Sequence, residues 1–270
     1  MVTPVQPPSS PSHSGDNLGK DQFSPRTVVV LGASGGLGAV IAETFLARGD
    51  HVALTYRRQS TTVDQMVATH DVAARSYQLD LRDEEECRRV VDRVASEFGG
   101  VDCLIYAAGP HVPMIHLSKV TPAQFREQIL DDAVAFFNVA QPTLPHLRAT
   151  HGNIVAVTTA ATSRFPVRDG LSSVPKGAVE ALVRAIAVEE GRFGVRANCV
   201  GPGMLTDGMA ERLISSGELD ERSLEAARAN IPLHRFGTAV DIAEAVHFLA
   251  SDRAAFITGQ KIDIDGGYST

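Results

Sequence analysis

The stretch "LGASGGLGAVIAETFLARG" places glycines at 32, 36 and 38 directly after a β-branched run and at the start of a helical pattern. In that context the spacing suits diphosphate binding. Gly32 permits a tight turn, Gly36 lets the backbone approach a pyrophosphate, and Gly38 allows the helix to pack closely. The helix start, with Ser34 and Leu37 in the same turn, would offer unpaired N–H groups and the positive end of its dipole to the phosphates. A plain glycine turn is the alternative, and the strand before and helix after favour the nucleotide. The second strand candidate ends in "LTYRRQS", with Arg57 and Arg58 where a site for NAD would carry an acid for the ribose 2′-OH. Two guanidiniums suit a 2′-phosphate, so NADP(H) is expected, a solvated arginine pair being the alternative.

These residues need a frame. Seven short runs read as strands: "TVVVLGA", "HVALTY", "RSYQLDL", "VDCLIYAAG", "NIVAVTT", "VRANCVG" and "KIDIDGG", nearly all separated by helical patterns. They read as apolar throughout, as parallel strands covered on both faces should be. The expected architecture is a single α/β domain, residues 26–270, with a doubly wound parallel (Rossmann) sheet of about seven strands and helices on both faces. Residues 1–25, rich in Pro, Ser and Gly, read as a flexible tail. A stretch at about 204–230, between the sixth and seventh strands, reads as a substrate lid.

With 44% hydrophobic residues the chain can bury a sizeable core. A net charge of −7 offers no general attraction to nucleic acid or anionic membrane, which leaves a small molecule as the expected partner. Cys87, Cys103 and Cys199 lack metal-site spacing and read as buried thiols; no metal is expected. No run approaches a membrane span and no signal core opens the chain, so a reduced cytoplasmic location is expected.

Residues 26–270 resemble the short-chain dehydrogenase/reductase family, in particular its 3-oxoacyl-carrier-protein reductase-like members. "GASGGLG" matches the nucleotide turn, Asp80 and Leu81 in "LDL" the adenine contact, and "YAAG" (Tyr106, Ala107, Ala108, Gly109) the loop after the fourth strand. "GPGMLTDGM", with Pro202, Gly203 and Thr206, resembles the turn that holds the nicotinamide carboxamide, and "IPLHRFGTAVDIAEAVHFLASDRAAFITGQKIDIDGGY" resembles the family's terminal segment. The resemblance implies a homotetramer or homodimer and a small-molecule substrate, possibly carrier-bound.

It also implies an Asn, Ser, Tyr and Lys catalytic set, which this chain carries as Asp132, Thr159, Ser172 and Lys176. Only the lysine is unchanged. A serine hydroxyl is shorter and far less acidic than a phenol, so Ser172 is a poor proton donor. Thr159 can still give one hydrogen bond to a carbonyl. Lys176 can still hold the nicotinamide ribose. Asp132 can accept bonds or, if near Lys176, form an ion pair.

Asp169 and His111 are the replacement acids to weigh, with His116 and His151 behind them; each is otherwise a solvent-facing residue. Pro175 fits the first turn of a helix, which places a helix start near Ser172 or Ser173 after a reshaped loop from Ala160 to Leu171. The expected function is an NADPH-dependent reductase of a carbonyl, enone or imine-type group. A non-redox cyclase, isomerase or dehydratase on the same scaffold and a non-catalytic partner subunit are the alternatives.

Overall fold

The protein is described by a computed structural model covering residues 25–110, 112–206 and 221–270. Seven strands form one parallel sheet: β1 (Thr27–Leu31), β2 (His51–Tyr56), β3 (Ala74–Gln78), β4 (Cys103–Tyr106), β5 (Asn153–Val157), β6 (Arg196–Pro202) and β7 (Lys261–Ile264), in the order β3-β2-β1-β4-β5-β6-β7. The order reverses between β1 and β4, which opens a crevice at the carboxyl ends of the central strands.

The period of two along β1 splits the core into two layers. Val29 and Leu31 pack with Leu104, Phe136, Val139 and Val183, beneath α3 (Glu84–Phe98), α5 (Ala135–Thr150) and α6 (Gly170–Glu190). Val28 and Val30 pack on the other face with Ile41, Phe45, Ile242 and Val246, beneath α1 (Gly36–Leu46) and α8 (Ala239–Ala250). The remaining helices are α2 (Thr61–His70), α4 (Pro122–Ile129) and α7 (Glu221–Ala229). The three cysteines lie in these layers, and burial pushes each thiol up to about 12.

Three expectations need correction. The two edge strands are not apolar throughout: only Ala74 and Tyr77 of β3 are buried, and β7 is half-buried along its length, because an edge has a neighbour on one side only. α6 begins at Gly170, before Ser172 and Ser173, because the Asp169 carbonyl accepts from both serine N–H groups, at 3.0 and 2.9 Å. Pro175 therefore stands inside the helix and removes the bond that the Leu171 carbonyl would accept. The loop before it is correspondingly shorter: Ala160–Thr162 is a 3-10 turn, and Arg168 takes a left-handed φ of 73° just before the helix.

Of the expected lid, residues 204–206 and 221–230 are described and hold the single helix α7; positions 207–220, like the tail through residue 24, lie outside the described residues. No helix among the described residues is long and apolar enough to cross a membrane.

Candidate active site

The glycine turn is fixed by two contacts. Gly32 has a φ of 81°, and a Cβ there would come 2.8 Å from the Ala108 Cα; one on Gly38 would come 2.2 Å from the Gly32 carbonyl oxygen. The turn thus presses β1's end against the loop after β4 and seats α1 on top. Around Gly36, by contrast, nothing lies within 4 Å of a built Cβ. No side chain caps α1 at Gly35 and no acid occupies its first turn, so its N-terminal amides are available to an anion.

A cleft runs from this turn past Arg57 and Arg58 to Asp80, Leu81 and the Ala107–Gly109 loop. Both arginines are exposed, and neither is ion-paired among the described residues. The Gln78 side-chain amide, on neighbouring β3, donates to the Arg57 carbonyl at 3.2 Å. Asp80 is held by the Arg82 N–H (3.0 Å), and Arg82 in turn pairs with Glu127 and Asp131 across the cleft's outer wall.

The catalytic candidates among the described residues come from three elements. Lys176, on α6, points at the loop after β4, where its Nζ would lie 3.3 Å from a Cβ on Gly109. It forms an ion pair with Asp132 Oδ1 at 3.0 Å, and Gln128 donates to Asp132 Oδ2 at 3.0 Å. Asp132 is fully buried, so both carboxylate oxygens are spoken for. It sits in a π-helical turn, Leu130–Val134, between α4 and α5. The Tyr106 hydroxyl braces that turn from beneath by donating to the Asp132 carbonyl at 3.1 Å. Such turns insert a residue into a helix and re-aim side chains at functional sites.

Thr159 ends β5. Its oxygen accepts from the Ala161 N–H at 3.1 Å, which fixes the oxygen, and among the described residues nothing takes the hydroxyl proton. Asp169, Ser172 and Lys176 follow at three- and four-residue intervals on one face of α6. The Ser173 hydroxyl, fully buried, reaches both the Asp169 carbonyl (3.1 Å) and its carboxyl oxygen Oδ2. The single hydroxyl proton is shared between the two acceptors as a three-centre bond, with Ser173 as the donor. Burial raises the Asp169 carboxyl above its ordinary range, against the smaller opposing pulls of the Ser173 bond and of the Lys176 ammonium.

The structure removes one candidate and leaves another aside. His151 lies before β5, at the far end of the strand from the crevice, with Nδ1 2.9 Å from the Phe193 carbonyl. His111 is outside the described residues, and His116 is exposed beside a 3-10 turn. Pro202 ends β6, Gly203 just beyond it donates to the Ile264 carbonyl at 3.0 Å, and Thr206 leans on the Gly237 carbonyl. Sequence reasoning missed Gln128, Ser173 and the bracing role of Tyr106. The available cue was Gln128 spaced four residues before Asp132, one helical turn away.

Residues 32–269 match the family described as enoyl-(acyl carrier protein) reductase. The chain is 32% identical to versicolorin reductase stcU of Emericella nidulans, over 94% of this chain and 98% of that one. It is 29% identical to L-fucose dehydrogenase of Oryctolagus cuniculus, over 91% and 86%. Among solved structures, that of ElxO with NADP bound superposes with a TM-score of 0.82 at 27% identity, covering 91% of this chain and 99% of that chain.

Proposed function

The chain belongs to the enoyl-(acyl carrier protein) reductase family of short-chain dehydrogenases and reductases, and from that premise we propose an NADPH-dependent reductase whose proton comes from Asp169 rather than from the residue at 172. The observation that carries the cofactor reading is the open backbone at Gly36 leading along one cleft to two exposed arginines just after β2. The residues present fit the dinucleotide: α1's amides and Ser34 for the diphosphate, Arg57 and Arg58 for a 2′-phosphate, Asp80 and Leu81 for the adenine. Ala107, Ala108 and Gly109 form the floor, and Pro202, Gly203 and Thr206 the carboxamide end. The NADP-bound ElxO structure supports the same choice. When bound, the cofactor supplies a hydride to an electrophilic carbon.

The side chains do the rest. Lys176, held by Asp132, offers its ammonium to the ribose hydroxyls beside Gly109, so it is a positioned cation and not an acid. Thr159 donates its hydroxyl proton to the substrate oxygen or nitrogen. Charge that develops on that atom is quenched by the Asp169 proton, with the Ser172 hydroxyl standing between Asp169 and Lys176 on the same helix face. A carbonyl, enone or imine-type carbon in a small molecule suits this set.

The test is calorimetric titration with NADPH and NADH, followed by substrate-dependent loss of the reduced-nicotinamide absorbance. Tight NADPH binding with turnover supports the reading. Conversion without net NADPH loss moves the chain to non-redox chemistry, and no binding to either nucleotide removes the enzyme reading.

A further inference from the structure

Behind Thr159 lies a partly buried ionic cluster that the proposed mechanism does not use. Lys261, in β7, is 14% exposed; its ammonium donates to the Thr159 carbonyl at 3.0 Å and to the Thr162 hydroxyl, and it lies 3.0 Å from Asp263 Oδ1 and 3.6 Å from Glu180 Oε1. The Asp263 contact is an ion pair without hydrogen-bond geometry, since that oxygen is buried and otherwise unbonded. Glu180, on α6, accepts from Thr162 at 2.8 Å, and Ser163 donates to Asp263 Oδ2 at 2.6 Å. Gly201 makes room for all of this, because a Cβ there would come 2.1 Å from Asp263 Oδ1 and 3.2 Å from the Thr159 carbonyl carbon.

A lysine, a glutamate and an aspartate are costly to bury, and a well-packed apolar set would serve stability as well or better. What the charges add is a fixed distance. Glu180 sits one turn after Lys176 on α6, so the Lys261 ammonium ties the helix that carries Lys176 and Ser172 to the strand end that carries Thr159. The helix also packs on β5 through Val179 and Val183, and the Thr162 hydroxyl meets both Glu180 and the Thr159 carbonyl, so Lys261 adds a charged tie at the site end of that contact.

We propose that Lys261 is a positioning residue that sets where the Thr159 hydroxyl stands relative to Lys176, acting through the Thr159 carbonyl and Glu180; this rests on the reductase reading, in which Thr159 faces the substrate. The test is a double-mutant cycle of Lys261→Met with Thr159→Val, with kcat expressed per NADPH-binding site counted by calorimetry so that misfolded chains drop out. A displacement of about 1 Å at a reacting group costs about a hundredfold. Lys261→Met is therefore expected to lower kcat about ten- to a hundredfold, with NADPH affinity within about twofold of wild type, and to lower it less than about twofold further once Thr159 is Val. Wild-type kcat in Lys261→Met, or the same loss in both backgrounds, overturns the proposal.

If Lys261→Met does not fold, Glu180→Gln serves in its place. It keeps an acceptor for Thr162 and removes the charge facing Lys261, with a severalfold kcat loss expected only while Thr159 is present. A wild-type chain that binds NADPH but reduces nothing overturns the reductase reading and this role with it, an outcome distinct from an active wild type beside an equally active variant.

Discussion

Replacing both Arg57 and Arg58 by Ala should abolish the preference for NADPH over NADH while leaving NADH binding nearly unchanged. The two side chains extend from the end of β2 into the nucleotide cleft, exposed and without carboxylate partners among the described residues, so removing them breaks no ion pair and costs the fold little. A hydrogen bond to a charged group contributes about 1.5–3 kcal/mol. Both guanidiniums face water, so the lower end applies, about 1.5 kcal/mol each and about 3 kcal/mol together. That corresponds to roughly a 150-fold weaker NADPH complex, since each 1.4 kcal/mol is a factor of ten. Titration calorimetry of both nucleotides against wild type and the double variant measures it. Because the interaction is solvent-facing, the wild-type preference should also shrink when ionic strength rises to about 1 M, where screening acts over about 3 Å. An unchanged NADPH affinity, or an equal loss for NADPH and NADH, would refute the assignment of the arginine pair to the 2′-phosphate.

Asp169→Asn should abolish turnover with NADPH affinity unchanged, because an amide has no acidic proton to give, and the wild-type kcat should fall as pH rises through a carboxyl value lifted by burial. The same shift has a stability sign. A raised folded value means that the Asp169 contribution is fully present below the unfolded carboxyl range and lost as pH rises through the folded one, so Asp169→Asn should raise Tm at neutral pH and leave it unchanged near pH ~3. Asp132→Leu strands the Lys176 ammonium, but that lysine is 16% exposed and can turn toward water, so we expect the lower end of the usual penalty, about 3 kcal/mol by denaturant unfolding. Gly38→Ala should destabilise by about 1–3 kcal/mol because its Cβ strikes the Gly32 carbonyl, whereas Gly36→Ala should fold normally and lose NADPH, as paired thermal melts and titrations would show.

How much of this could be read in the chain differs from one feature to the next. The sheet was legible because the strand runs are short, mostly β-branched and nearly all separated by helices, and such units admit few topologies. The glycine turn and Arg57–Arg58 were legible because their meaning is local. The start of α6 was not: Pro175 argued for a later start, and the Asp169 carbonyl bonds that set the true one depend on a loop the sequence does not specify. Asp132 and Lys176 lie 44 positions apart on separate elements, and only the packing of the π-helical turn against α6 brings them together, so their pairing could be framed as a condition and no more. The Lys261 cluster joins residues up to 102 positions apart, and its one trace in the sequence is a pair of charges inside the strand "KIDI".

The cysteine placement has a practical consequence for anyone following this protein in solution. With each thiol value at about 12, roughly one sulfur in 10⁵ is a thiolate at neutral pH, and burial bars a reagent from reaching it. Alkylation of the native chain therefore reports its global unfolding, residue by residue along β4, β6 and α3. A cysteine introduced on the exposed rim, for instance at Ser118, would label alone, and a fluorophore there could follow substrate arrival without any native cysteine being removed.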